Sequence, residues 1–364
     1  MPTPVELLLA RCVRPDVLAM AGYRVQDSTA MLKMDAMENP HRLPENLRAE
    51  LGQRLAAVEF NRYPGKRVEQ LRHAVLAHAH VPDGCTVMLG NGSDELISLL
   101  AMACHRPGAT VLAPEPGFVM YGLSARLQGL AYRGVSLRED FELDEDAMLA
   151  ALADSAPAVV YLAYPNNPTA NLWDADGMER IIQAAPGLVV VDEAYQPFAG
   201  RSFMDKLSRY PQLLLMRTLS KFGLAGVRIG YLAGRKQVIE QLEKVRPPYN
   251  VSSVNAECAL FALEHTAEFD RQAQAIVSQR RELFAVLGAI PGVRAYHSDA
   301  NMLLLRMESD DVAAADNVFE GMKRRGVLVR NVSKMHPLLA NCLRLTVGTA
   351  DENRTMVQAL RDSL

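Results

Sequence analysis

One lysine in this chain has no evident solvent-facing role. Lys221 lies in Arg217-Thr218-Leu219-Ser220-Lys221-Phe222-Gly223-Leu224, among apolar and small residues. Burial disfavours the ammonium form, so a lysine held there becomes a nucleophile and a proton carrier. Thr218, Ser220 and Arg228, in the same stretch, offer hydroxyls and a guanidinium suited to a phosphate. Upstream, Asp192 ends the run Leu188-Val189-Val190-Val191, and Tyr195 follows three residues later. Asn167 sits in Tyr164-Pro165-Asn166-Asn167-Pro168-Thr169, again after an apolar run. Gly90-Asn91-Gly92-Ser93-Asp94-Glu95 places glycines after a strand and good capping residues at a helix start. The free N–H groups of such a start bind anions. No GxxxxGK[ST] loop is present, and the third glycine of GxGxxG is missing.

Each piece has an ordinary structural reading. Gly90–Glu95 could be a plain strand-to-helix turn, Asp192 a cap, Tyr195 a core residue and Asn167-Pro168 a turn. Their recurrence after successive apolar runs points to one chemistry. A lysine for a Schiff base and a carboxylate for a pyridine nitrogen are what a protein needs to hold pyridoxal phosphate. Tyr195 and Asn167 could then serve the ring 3-oxygen. Glu193 suits the nitrogen less well, because neighbouring strand positions face opposite sides. His73, His78 and His80 lie on a polar helix without acidic partners at ligand spacing, so no metal is expected. Trp173 and the 17 methionines read as core filling.

Alternating elements must position these groups. Val87–Leu89, Thr110–Ala113, Ala158–Tyr164, Leu188–Val191, Leu213–Met216 and Ile229–Ala233 are short apolar runs with helix-like patterns between them. Runs without alternation suggest strands buried on both faces, hence an α/β fold with a mostly parallel sheet sandwiched by helices. Arg246-Pro247-Pro248-Tyr249-Asn250 marks a boundary. A helical stretch over 254–287 follows, then short strands and two helices, which read as a smaller α+β domain. The expected organisation is an N-terminal arm over 1–35 associated with the small domain, a cofactor-binding domain over 36–250 and a small domain over 251–364.

Composition sets bounds. The chain has 364 residues, 49% hydrophobic and 22% charged, which suits a large domain with a smaller one. Its net charge of -3, without a long single-sign run, gives no reason to expect nucleic acid or an anionic membrane. The N-terminal apolar run is cut by Arg11 and Arg14 and reads neither as a signal peptide nor as a membrane span. Five scattered cysteines show no CxxC spacing, which favours a reducing compartment.

Over nearly its whole length the chain resembles the pyridoxal-phosphate aminotransferases of the aspartate-aminotransferase fold. The anchors are Glu38-Asn39-Pro40, Arg62-Tyr63-Pro64, Gly92-Ser93-Asp94-Glu95, Pro165-Asn166-Asn167-Pro168-Thr169, Val191-Asp192-Glu193-Ala194-Tyr195 and Thr218-Leu219-Ser220-Lys221. Leu343-Arg344-Leu345-Thr346-Val347-Gly348-Thr349 is similar to the histidinol-phosphate branch. The resemblance implies Lys221 as the cofactor lysine, Asp192 on the pyridine nitrogen, and Asn167 and Tyr195 on the 3-oxygen. It implies Phe118 stacked on the ring, where the family more often has Tyr. Gly92, Ser93, Asp94, Thr218, Ser220 and Arg228 would hold the phosphate, completed by Tyr63 from the second subunit of a homodimer. Tyr23, Asn39, Arg330 and Arg344 would face the substrate. The implied reaction joins histidinol phosphate and 2-oxoglutarate, with glutamate as a product, in the cytoplasm. Alternatives sharing the cofactor residues are an aromatic amino-acid aminotransferase, a threonine-phosphate decarboxylase-like lyase and a non-enzymatic cofactor-binding regulator.

Two further departures from the family pattern raise structural questions. The spacing from Lys221 to Arg228 is one residue shorter than usual, and Asp35-Ala36-Met37-Glu38-Asn39-Pro40 replaces Asn-x-Asn-Glu-Asn-Pro.

Overall fold

Apolar runs unbroken by polar residues become strands covered on both faces. The computed structural model describes residues 2–22 and 26–364, in two units, Met1–Ala30 and Met31–Leu364. In the first unit, Thr3 and Glu6 form a capping box on the helix Pro4–Cys12, and the helix Pro15–Ala19 follows.

The second unit opens with a short strand, β1 (Leu32–Lys33). Its main sheet comprises β2 (Cys85–Gly90), β3 (Thr110–Glu115), β4 (Ala131–Ser136), β5 (Val159–Ala163), β6 (Leu188–Asp192), β7 (Leu213–Thr218) and β8 (Gly230–Arg235). The order is β2-β8-β7-β6-β5-β3-β4. Val189–Val191 and Leu213–Leu215 are fully buried, as strands between two helical layers must be. β9 (Val293–Ala295), β10 (Met302–Met307), β11 (Val327–Leu328), β12 (Arg330–Asn331) and β13 (Cys342–Thr346) follow. Four of them form an antiparallel sheet in the order β12-β13-β10-β9, while β11 pairs in parallel with β1.

The main sheet is mostly parallel, as the sequence predicts. β8 is the exception, antiparallel to both β7 and β2. The start of β8 therefore lies at the same sheet edge as the ends of its neighbours. That edge is where an open α/β sheet places its ligand crevice.

Two elements differ from expectation. The helical stretch over 254–287 is two helices, Ser253–Glu264 and Thr266–Gly288. His265 interrupts them with non-helical dihedrals (φ -114, ψ 34), its ring packed on Phe261 and its Nε2 3.2 Å from the Glu50 carboxylate. β4 carries no continuous apolar run because it is an edge strand, with Ala131, Gly134 and Ser136 exposed.

Candidate active site

The ends of β2, β3, β5, β6 and β7 and the start of β8 surround one pocket. Ser93, Asp94, Phe118, Asn167, Asp192, Tyr195, Thr218, Ser220, Lys221 and Arg228 all line it. The sequence singles out each of these ten from its place after an apolar run or from a family motif. Met37, Tyr121, Ala163, Pro165 and Ala194 complete the wall.

Lys221 follows β7 in a π-helical turn, Ser220–Leu224. Gly223 takes φ 135, a value L residues rarely adopt, and a Cβ there would meet Asn39 Nδ2 and the Phe269 ring at 3.0 Å. A short 3-10 turn, Ala225–Val227, leads to Arg228 at φ 55. The shortened loop thus still carries both Lys221 and Arg228 to the pocket. The amine donates to the Ala36 carbonyl at 2.9 Å and lies 5.9 Å from the Tyr195 ring centroid. Burial first, and then the charge of Arg344, pull the Lys221 pKa down to about 8.

Asp192 is the last residue of β6 and is 6% exposed. Tyr121 O–H donates to its Oδ2 at 2.6 Å, and the Ala194 N–H donates to its Oδ1 at 3.0 Å. Burial nevertheless pushes its pKa up to about 6. Tyr121 is itself held by parallel stacking on Tyr161, with ring centroids 4.3 Å apart. Its contact with Asp192 escapes sequence reading, because it joins the helix Met120–Leu127 to a strand 71 positions away. Glu193 points away from the pocket into a closed network. It accepts from Arg217, Ser202 and the Phe203 N–H and is structural.

Asn167 donates from Nδ2 to Tyr195 Oη at 3.1 Å. Arg344 Nη1 donates to Asn167 Oδ1 at 2.6 Å, which fixes the amide's orientation. Both Asn167 and Tyr195 thus present polar atoms at one wall. Burial raises the Tyr195 pKa, so its phenol keeps its proton.

At the other end, Arg228 donates from Nη2 to Asp94 Oδ2 at 3.2 Å and from Nη1 to Ser220 Oγ at 3.4 Å. Ser220 N–H donates to Thr218 Oγ1 at 3.2 Å, so the turn orders its own hydroxyls. The helix Ser93–Cys104 begins here without a side-chain cap. Gly92 precedes it at φ 84, and a Cβ at that position would stand 2.6 Å from Arg228 Nη2.

Other sequence-predicted residues lie elsewhere. Asn39 is not part of the pocket wall. It donates to Gln272 Oε1 at 2.9 Å and accepts from the His41 N–H at 2.8 Å. Arg344 stands behind Asn167 and also donates to the Asp35 carbonyl at 2.8 Å. Arg330 is directly opposite Arg344 in the β12–β13 register. Tyr63 is 76% exposed and stacks on Tyr249 at 4.3 Å, outside its own chain's pocket. Tyr23 lies outside the described residues.

The segment 34–37 is a feature the sequence underrates. Met37, buried at φ 52, receives a hydrogen bond at its carbonyl from Asn301 and gives its N–H to Thr346 Oγ1. With the Lys221–Ala36 and Arg344–Asp35 bonds, these contacts pin the segment beside the pocket.

The chain matches the model of the family "Aminotransferase class I and II" over residues 29–360. It is 60% identical over 359 residues to the histidinol-phosphate aminotransferase of Polaromonas naphthalenivorans, covering 98% of this chain and 97% of that protein. The solved histidinol-phosphate aminotransferase of Sinorhizobium meliloti, in complex with pyridoxal-5'-phosphate, superposes with a TM-score of 0.86 at 22% identity, covering 97% of each chain. A mutant aspartate aminotransferase of Thermus thermophilus gives 0.78 at 21% identity, over 97% of this chain and all of that one. The fold is thus that of aspartate aminotransferase.

The cofactor of this family, pyridoxal 5'-phosphate, fits the groups present. An uncapped helix start beside Arg228 and Ser220 suits its phosphate. The enclosed amine of Lys221 suits its aldehyde, and the buried Asp192 carboxylate, held by the neutral donors Tyr121 O–H and Ala194 N–H, suits its ring nitrogen. The chain belongs to the class I and II aminotransferases and, within them, to the histidinol-phosphate aminotransferases.

Proposed function

We propose that this chain transfers the amino group of L-histidinol phosphate to 2-oxoglutarate, giving imidazole-acetol phosphate and glutamate, a step of histidine biosynthesis. One observation carries the reading. A lysine with a depressed pKa shares its pocket with an arginine-serine anion cradle, and a second arginine, Arg344, stands beside it.

Pyridoxal 5'-phosphate, when bound, supplies an aldehyde for the amino group and a ring that accepts the electrons of the broken C–H bond. Lys221 holds it and takes up at Nζ the proton lost from the donor's α-carbon. Near neutral pH, a lysine with a pKa of about 8 keeps an appreciable fraction of free amine. Asp192 holds a proton at the ring nitrogen, its two oxygens oriented by Tyr121 and Ala194. A cation beside a carboxylate favours the ionised form, so this pairing offsets the effect of burial. Asn167 and Tyr195 donate to the ring 3-oxygen, and Phe118 covers a ring face. Ser93, Thr218, Ser220 and Arg228 bind the phosphate, with Asp94 orienting Arg228. Arg344, backed by Arg330, takes the phosphate of one substrate and the carboxylate of the other, since a guanidinium fork accommodates both. Tyr23 and Asn39 belong to the substrate end in this reading.

The chain is further read as a cytoplasmic homodimer, in which Tyr63 serves the phosphate of the second chain. The exposure of Tyr63 and its place outside its own pocket support this arrangement. The five unpaired cysteines suit a reducing compartment. Among the described residues, no helix is long and apolar enough to cross a membrane. Residues 36–250 are read as the cofactor-binding domain, 251–364 as the small domain and 1–35 as its associated arm.

A spectroscopic half-reaction tests the substrate. The purified holoenzyme should show the near-visible band of lysine-bound cofactor. L-histidinol phosphate alone should bleach it, and 2-oxoglutarate should restore it. A band that persists with this donor would remove the substrate assignment. Release of carbon dioxide without any keto acid would turn the reading toward a decarboxylase.

A further inference from the structure

Glu257 is a buried carboxylate that does not line the pocket described above. It lies on the helix Ser253–Glu264 with its side chain 6% exposed. Arg54 Nε donates to its Oε1 at 2.6 Å, and Arg67 Nε donates to its Oε2 at 2.6 Å. Arg54 also pairs with Glu264 and lies over the Phe261 ring at 5.4 Å. Exposed ion pairs contribute little, but a buried anion shared by two guanidinium groups is different. Without it, the Arg54 and Arg67 guanidinium groups would lose the anion they share.

The positions of the arginines give the cluster its meaning. Arg54 is in the last turn of the helix Glu45–Ala56, and Arg67 is in the first turn of the helix Gly65–His78. The link between those helices, 57–64, carries Phe60 and Tyr63, which are 74% and 76% exposed. One carboxylate therefore fixes both ends of the link. A second contact holds Tyr63 itself, which stacks on Tyr249 with an interplanar angle of 16°. Tyr249 stands at φ 59, a conformation L residues seldom hold unless the surroundings impose it. A loose link would lose conformational entropy on meeting a ligand, whereas one held beforehand loses little.

We propose that Glu257 is a positioning residue that sets Tyr63, through Arg54 and Arg67, for the cofactor phosphate of a second chain. The proposal rests on the reading of Tyr63 given above. The experiment titrates pyridoxal 5'-phosphate into the cofactor-free full-length protein and follows absorbance to obtain Kd. Four proteins are compared: wild type, Tyr63→Phe, Glu257→Gln and the double variant. Glu257→Gln should weaken binding about 10-fold, while the double variant should bind within about 2-fold of Tyr63→Phe, because coupled groups are not additive. Losses that multiply would overturn the proposal. So would a Glu257→Gln protein with a lowered Tm and unchanged Kd, since the carboxylate would then only fasten helices. Arg67→Gln, at a side chain 38% exposed, repeats the cycle if Glu257→Gln fails to fold. It should show the same coupling to Tyr63→Phe, and additive losses there would equally overturn the proposal. If Tyr63→Phe alone leaves Kd unchanged, the reading of Tyr63 fails, and the proposal falls with it.

Discussion

Burying Lys221 works against the cofactor-free fold. Its pKa lies at about 8 against an ordinary 10.5, a difference of roughly 3 kcal/mol. Between those values the unfolded chain binds more protons than the folded one, so stability rises with pH across the window. The penalty is full below about pH 8 and fades toward pH 10.5. Lys221→Met should therefore stabilise the cofactor-free protein by roughly 2–3 kcal/mol near neutral pH, with the gain vanishing at about pH 10–11. Denaturant midpoints across that range are the check, and a pH-independent gain would mean that the amine is not desolvated. Asp192 gives a second test. Tyr121→Phe removes one of its two protein donors, worth about 1–2 kcal/mol, so kcat should fall about 10-fold. Unchanged kcat would reduce Tyr121 to core packing. Asp192 is legible in the sequence because the residue closing a buried strand points into the crevice. Tyr121 and Met37 are not. One acts through a long-range contact, and the other through a backbone conformation imposed by Thr346 and Asn301.

Elements decide whether these groups meet. Six parallel strands deliver their carboxyl ends to one edge, five of them around the pocket, and antiparallel β8 delivers Arg228 there from its amino end. The apolar runs place the strands but not this reversal, since strand direction is set by the connection and not by composition. The π-helical turn after β7 is similarly silent in the sequence, apart from Gly223. The start of the helix Ser93–Cys104 is more open to prediction. Glu95 accepts from the Asn91 N–H and from Asn250 Nδ2, both at 2.7 Å, and so braces the turn. Gly92→Ala would strain a left-handed backbone position by about 1–2 kcal/mol and drive a methyl into Arg228. Cofactor affinity should fall at least about 10-fold while the circular dichroism spectrum stays native. Retained affinity would show that Arg228 and the helix start need not lie so close.

At the scale of the whole molecule, Ser93, Asp94, Thr218, Ser220 and Arg228 line the pocket, whereas the Tyr63 ring is exposed on the same chain. Composition and strand pattern carry no information about a neighbour's surface, so the expectation for Tyr63 rests on the family resemblance around Arg62-Tyr63-Pro64. If the site is shared, defects in different parts of it should complement each other. Lys221→Ala lacks the cofactor lysine but keeps its own Tyr63. Tyr63→Ala keeps the lysine but offers the second chain no phenol. Mixed, unfolded and refolded together in equal amounts, they should form dimers of three kinds. In the mixed dimer one site carries both defects and the other carries neither. Half the dimers would then hold one intact site of two, so about one quarter of wild-type activity should return when cofactor is limiting. If instead each chain built its site from its own Tyr63, every site would keep a defect, and the mixture would match the average of its parents. The result separates a composite site from a self-contained one without requiring either variant to be fully inactive.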